Sequence, residues 1–268
     1  MTAGDAVFAG SIPALYDRLL VPLLFAPYAR DIARRVARLA PRRILETAAG
    51  TGVVTEELAR ALPQAEIVAT DLNQAMLDVA ATQVESPCVN FRQADAQALP
   101  FGDATFDAVA CQFGVMFYPD RIAGYREARR VLGPGGTFLF NVWDRLDQNP
   151  VTAAIAAAVE GLFPENPPRF FDRVPFGYHD RERVEADLRA AGFGQVAAET
   201  VRQRSRIGSA RDAAIGLCHG TPLRAEIEQR GPDALDRATE AAAAALARLS
   251  GPDGVDAPMS AHVFSARA

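Results

Sequence analysis

Two acids flanking a glycine-containing turn are the residues of this 268-residue chain best placed to do chemistry. Ile44-Leu45-Glu46 runs into Thr47-Ala48-Ala49-Gly50-Thr51-Gly52, and Asp71 closes a β-branched run nineteen residues after Gly52. Gly50 and Gly52 let the backbone turn tightly and approach a ligand, while Ala48 and Ala49 add little bulk. A carboxylate at Asp71 is placed to accept hydrogen bonds from both hydroxyls of a ribose. Glu46 lies four residues before Gly50, at the floor of the same turn. There it repels a pyrophosphate and attracts a cationic amino-acid group. The third glycine of a dinucleotide-binding turn is due at position 55, which is Thr55. The turn suits a positively charged ligand better than a dinucleotide.

These groups meet only if they stand at the carboxyl ends of neighbouring parallel strands. The sequence supplies such strands at Arg43–Glu46, Glu66–Asp71, Val89–Gln93, Phe106–Cys111 and Thr137–Val142. Helical spacing separates them: Val54, Leu58 and Leu62; then Met76, Leu77 and Ala80 behind Asn73 as cap; then Ile122 to Leu132. Strands alternating with helices predict an α/β, doubly wound sheet with both faces covered. Beyond Trp143 the pattern changes. A helix over Val151–Leu162 precedes the proline-rich aromatic stretch Phe163–Tyr178, which has no period. Val184 and Leu188 mark a helix, Gln195–Ile207 a strand, and Ala210–Leu249 an alanine-rich helical stretch with a break near Gly231-Pro232. Ala261–Ala266 makes a final strand, the seventh. The expected organisation is a helical arm over residues 1–40 and a core over 41–208 and 257–268. A cap insertion at about 147–180 and a helical insertion over 209–256 complete it.

With the elements placed, the chain resembles the class I S-adenosylmethionine-dependent methyltransferases, especially the ubiquinone/menaquinone-biosynthesis type. Ile44–Gly52 is similar to that family's first motif, and Asp71 with Leu72 and Met76 to its second. Gln93-Ala94-Asp95-Ala96 through Phe101, then Phe106-Asp107, resembles the third. Gln112-Phe113 and Arg130-Val131-Leu132-Gly133-Pro134-Gly135-Gly136 complete the series, over about residues 40–145. Thr47 departs from the usual aliphatic. The resemblance implies a Rossmann-like methyltransferase fold with helical cap elements, and S-adenosyl-L-methionine as cofactor, leaving S-adenosyl-L-homocysteine. It implies a cofactor site of Glu46, Ala48, Gly50, Gly52, Asp71, Leu72, Met76, Asp95, Ala96, Gln112 and Phe113. Leu72 and Met76 would pack on adenine, with Asp95 and the Ala96 amide at its edge. The competing readings are a nicotinamide-dependent oxidoreductase, disfavoured by Glu46 and the missing third glycine, and a non-catalytic S-adenosylmethionine-binding relative.

Methyl transfer from a sulfonium is a direct displacement, so positioning does most of the work. A general base is needed only if the acceptor loses a proton during attack. None is evident, and the catalytic residue stays unassigned. Of the three histidines, His262 reads as structural, and His179 and His219 lie in the variable part. Tyr16, Trp143, Phe171, Tyr178 and His219 are candidates for a substrate pocket. Phe163, Phe170 and Phe176 join Phe171 and Tyr178 as either pocket lining or cap packing.

Absences narrow the acceptor. Gln112-Phe113-Gly114-Val115 stands where nucleic-acid amino methyltransferases carry Asn/Asp-Pro-Pro-aromatic. Asn166-Pro167-Pro168 occurs in the wrong place and precedes Arg169. A net charge of −5 and a pI near 5.3 disfavour a nucleic-acid partner. The arginines at 34, 35 and 38 and at 202, 204 and 206 read as solvated faces. These features point to a small-molecule acceptor. Three cysteines (Cys88, Cys111, Cys218) without metal spacing suggest reduced thiols, no metal site and a cytoplasmic protein. No export signal is visible. The longest apolar run, Leu19–Ala29, is broken by two prolines and predicts no membrane insertion.

Overall fold

The computed structural model describes residues 4–268; residues 1–3 of the expected arm lie outside that range. Eight strands form one sheet: β1 (Arg43–Thr47), β2 (Glu66–Asp71), β3 (Val89–Gln93), β4 (Phe106–Gln112), β5 (Leu132–Trp143), β6 (Gln195–Ile207), β7 (Ser250–Gly251) and β8 (Gly254–Arg267). Their order is β3-β2-β1-β4-β5-β8-β6, with the two-residue β7 paired to β8. The first five strands are mutually parallel, and β8 runs antiparallel between β5 and β6. The mostly parallel sheet of seven main strands is the one the alternation predicts. Strand order reverses between β1 and β4, which opens a crevice at their carboxyl ends.

Side chains alternate along these strands and feed two cores. Ile44, Ile67, Ala108 and Leu139 face one side, against Ile32 and Val36 of α2 (Ala26–Ala37) and Val54 and Leu58 of α3 (Val53–Ala61). Leu45, Val68, Val109 and Phe140 face the other, in a core that includes Tyr125 of α5 (Arg121–Val131) and Leu188 of α8 (Arg181–Ala190). Between β2 and β3 runs α4 (Gln74–Gln83). Above the strand ends lie α1 (Ile12–Leu15), α6 (Pro150–Leu162), α7 (Phe170–Arg173), α9 (Ala210–His219), α10 (Leu223–Glu228) and α11 (Ala234–Leu246). No helix among the described residues is long and apolar enough to cross a membrane.

Local departures from the sequence reading have physical causes. The helical part of the arm begins only at Ile12 and runs unbroken to Ala37, with a π-helical stretch, Tyr16–Phe25, that contains Pro22. A proline has no N–H to donate and crowds the carbonyl one turn back, and the wider winding accommodates it. The alanine-rich stretch breaks at Gly220-Thr221-Pro222 as well as at Gly231-Pro232. Phe163–Tyr178 contains the single helical turn α7. Asn73 occupies the N-cap of α4 without a side-chain capping bond, because its amide is used elsewhere.

Candidate functional site

The turn after β1 is built from left-handed backbone: Ala48 has φ 52°, Gly50 58° and Gly52 89°. Glycine tolerates this and alanine does so at a cost of roughly 1 kcal/mol. The turn leans on the end of β2. Ala49 N–H donates to the Thr70 carbonyl at 2.9 Å, and Gly50 N–H donates to Asp71 Oδ2 at 2.9 Å. The other Asp71 oxygen accepts from Asn73 N–H at 2.8 Å. Burial raises the pKa of this carboxyl, and the amide donors of Asn73 and Gly50 pull it back.

A cavity of about 300 Å³ lies over the carboxyl ends of β1 to β4. Eight of the eleven residues assigned to the cofactor line it: Ala48, Gly50, Asp71, Leu72, Met76, Asp95, Gln112 and Phe113. Leu72 is 52% exposed at its edge. Asp95 Oδ1 accepts from Gln97 N–H at 2.8 Å. Gln112 donates through Nε2 to the Phe25 carbonyl at 3.3 Å, while its Oε1 is buried with no protein partner. A buried amide oxygen of this kind is costly unless a ligand donates to it. Phe113, at φ 52°, donates its N–H to Asn141 Oδ1 at 2.8 Å. No side chain fits at Gly114, whose Cβ would collide with Ala48 and Cys111.

Glu46, Gly52 and Ala96 do not line this cavity. Glu46 is buried and accepts from Thr55 Oγ1 at 2.7 Å. Burial pushes its carboxyl up to about 8, against the Thr55 hydrogen bond, and Asp71 adds to the rise. Its Oε2 is held by Thr55 of α3. Gly52 is a packing position: a Cβ there would lie 3.0 Å from the Cβ of Ala80 on α4. Thr47 is satisfied, with its hydroxyl 3.2 Å from Tyr118 Oη.

A second cavity, about 70 Å³, adjoins the first, and Phe8, Tyr16, Phe113 and Phe117 line both. Its wall includes Trp143, stacked on Phe113 with ring centroids 3.9 Å apart, and Phe25, stacked on Tyr16 at 4.9 Å. Phe170, Phe171 and Phe176 close it from the cap. Its lining has no acid, amine or imidazole; its side-chain hydroxyls are those of Tyr16, Thr152 and Thr221. Of the expected substrate residues it holds Tyr16, Trp143 and Phe171. Tyr178 lies elsewhere, donating to Asp187 at 2.7 Å and accepting from Tyr125, with Arg121 4.2 Å over its ring. His219 also lies outside, with Nε2 2.8 Å from Thr239 Oγ1, and burial lowers its pKa. Phe163 packs beneath Arg230 and Arg237.

Sequence reading missed the strap across both cavities. Phe8 N–H donates to Asn73 Oδ1 at 3.2 Å, and Asn73 Nδ2 donates to the Ala6 carbonyl at 3.1 Å. Asp5 pairs with Arg173 of α7, which also reaches Glu226 of α10 at 2.6 Å. Phe117 and Tyr118 after β4 were missed as well; an aromatic cluster directly after a motif strand was the available signal. A broad surface concavity, about 1180 Å³, lies at the opposite pole around Arg42, Gly135 and Arg267; Asp107 and Gly133 to Gly136 of the motif series line it, but none of the eleven residues assigned to the cofactor does.

Known proteins match this arrangement. A family model described as a methyltransferase domain matches residues 44–136. A demethylmenaquinone methyltransferase of Deinococcus radiodurans is 33% identical over 206 residues, covering 71% of this chain and 85% of that protein. A ubiquinone/menaquinone biosynthesis C-methyltransferase of Pseudomonas aeruginosa is 32% identical over 168 residues, covering 58% of this chain and 66% of its own. The crystal structure of Bacillus subtilis YcgJ shares the fold, with a TM-score of 0.56 at 19% identity over 90% of this chain and 98% of that one. The nicotinamide reading falls, and S-adenosyl-L-methionine is the methyl donor. A one-third-identical relative along most of its own length, sharing the motifs that open onto this crevice, makes the chain a member of the S-adenosylmethionine-dependent methyltransferases of the ubiquinone/menaquinone type.

Proposed function

We propose that this enzyme methylates a ring carbon of a small hydroxylated aromatic, a reduced quinone or close analogue, in the cytoplasm. The observation carrying this reading is the pair of adjoining cavities: one polar, at the strand ends, and one walled by stacked aromatic rings. The names of the quinone-methylating relatives support it. The three cysteines are free thiols, in keeping with a reducing compartment.

The residues present fit the cofactor. Asp71 is placed for the ribose hydroxyls, Leu72 and Met76 for the adenine faces and Asp95 for its amino edge. The unpartnered Gln112 Oε1 suits the amino-acid ammonium. Bound there, the cofactor supplies an electrophilic methyl on a cationic sulfur. The chain's own contribution is placement and dryness: the Phe113–Trp143 and Tyr16–Phe25 stacks pack against each other and give an apolar aromatic wall on the acceptor side. Ordered positioning of this kind supplies several kcal/mol of a barrier. The core over 41–208 and 257–268 would hold the cofactor, and the arm, the 147–180 insertion and the 209–256 helices would shape the acceptor side.

Anaerobic incubation with S-adenosylmethionine and a side-chain-free demethylated naphthoquinol tests the reading. Formation of S-adenosylhomocysteine and a product heavier by one methylene is expected. Methylation of oxygen instead of carbon, or turnover only with non-aromatic acceptors, overturns it.

A further inference from the structure

We propose that Tyr16 is the residue that positions the acceptor: its phenol donates a hydrogen bond to a ring oxygen and holds the ring at the junction with the cofactor cavity. This rests on the hydroxylated-aromatic reading above. Four side chains line both cavities, and Tyr16 is the only polar one; the others are Phe8, Phe113 and Phe117. Its ring is fixed on three sides. Phe25 stacks on it at 4.9 Å and an interplanar angle of 17°, and Phe8 meets it edge-on at 6.0 Å. The third side is the cofactor turn: a Cβ at Gly50 would sit 4.0 Å from Tyr16 Cε1.

The hydroxyl on that fixed ring makes no hydrogen bond to any described residue. The alternatives are occupied or remote. Thr221 Oγ1 donates to the Leu217 carbonyl at 2.8 Å, Tyr118 Oη lies between Thr47 and Cys111, and Thr152 lines the acceptor side alone. Burial, with Asp71 and Asp17 nearby, raises the phenol's pKa and keeps it protonated. It is therefore a donor, suited to an acceptor oxygen that carries negative charge as the ring becomes nucleophilic. An oxygen held there turns one flank of the ring toward the cofactor cavity and lays the rest along the aromatic lining of the second cavity. Aromatics without a hydroxyl enter the same cavity with no fixed register.

Trp143 is the only tryptophan of the chain and lies in the acceptor wall, so its fluorescence reports occupancy. Protein saturated with S-adenosylhomocysteine is titrated anaerobically with 1,4-dihydroxynaphthalene and, separately, with naphthalene, which lacks both hydroxyls. The wild type is expected to bind the diol about tenfold more tightly. Tyr16→Phe keeps the ring and its stacks. It should bind S-adenosylhomocysteine within about twofold of wild type while losing most of the preference for the diol. A preserved preference in Tyr16→Phe overturns the proposal. So does weakened cofactor binding with the preference intact, which would give the hydroxyl to the cofactor instead. If neither probe perturbs Trp143 in the wild type, the aromatic-acceptor reading fails first and the role of Tyr16 with it.

Discussion

Replacing Asp71 with asparagine tests the cofactor assignment with almost no change of shape. The carboxylate faces backbone donors on both sides, Gly50 N–H at 2.9 Å and Asn73 N–H at 2.8 Å. An amide has one oxygen, so in either orientation an NH2 group opposes a backbone N–H. One charge-assisted bond is lost, worth about 1.5–3 kcal/mol. Two consequences then diverge. Removing a buried charge relieves the burial that raises the pKa of this group, which offsets part of the loss in the unliganded protein. Ribose hydroxyls gain no such compensation, because they lose a charged acceptor and meet a loosened turn. The expected weakening of S-adenosylhomocysteine binding is about 2–4 kcal/mol, roughly 30-fold to 700-fold, with a shift in melting temperature of only a few degrees. Titration calorimetry measures the affinity and scanning calorimetry the stability. An affinity within threefold of wild type, at unchanged enthalpy, would show that the ribose does not rest on Asp71.

Three further substitutions separate the roles assigned above. The Glu46 carboxyl titrates at about 8 in the folded protein against 4.5 ordinarily, so the native state holds its proton longer than the unfolded chain. That contribution is complete below about 4.5 and is lost as pH rises through 8. Glu46→Gln should gain over wild type by about 1–3 kcal/mol at pH 8.5, under a ceiling of about 5, and gain nothing at pH 4; parallel melting curves at both pH values would refute this. Gly52→Ala places a Cβ 3.0 Å from Ala80 at φ 89° and should cost about 1–3 kcal/mol of stability in urea unfolding, whereas a neutral result would mean that α4 yields freely. Arg173→Gln removes the contacts to Asp5 and Glu226, so hydrogen exchange at Ala6–Phe8 and release of S-adenosylhomocysteine should both quicken; unchanged rates would show that the Arg173 contacts do not hold the strap.

The sheet and its cofactor crevice were legible because their signals are local. Ile44 and Leu45, or Ile67 and Val68, feed opposite cores through a period of two, and β1 and β2 each reach an acid, Glu46 and Asp71, at the crevice end. What failed was direction. Glu46 is next to the turn in sequence, yet Thr55 draws its carboxyl toward α3. Gly52 is in the motif, but its missing side chain makes room for Ala80. The strap was illegible for a different reason. Phe8 and Asn73 are 65 residues apart, and Asp5 and Arg173 are 168 apart; no periodicity encodes such pairs. Aromatic content left the cap open as pocket lining or packing and could not tell Phe171, which lines the second cavity, from Tyr178, which braces α5 against α8 through Asp187.

These contrasts explain how the site works without an evident base. The residues proposed to hold the cofactor stand mostly on the turn after β1 and at the strand ends, fixed by the sheet. The groups around the acceptor come from the arm, the loop after β4 and the cap, and nearly all are apolar. An apolar wall cannot remove a proton, but it excludes the water that would otherwise compete for the methyl group. It also raises the strength of the few polar contacts it encloses. In the proposed ring methylation the new C–C bond forms as the sulfur–methyl bond breaks with its electron pair on sulfur, and the ring proton leaves afterwards to solvent as aromaticity returns; an electron-rich acceptor then needs orientation for the first step, which the stacked rings and one donor would provide. The Asp5–Arg173–Glu226 contacts join the strap over the cofactor to the cap over the acceptor.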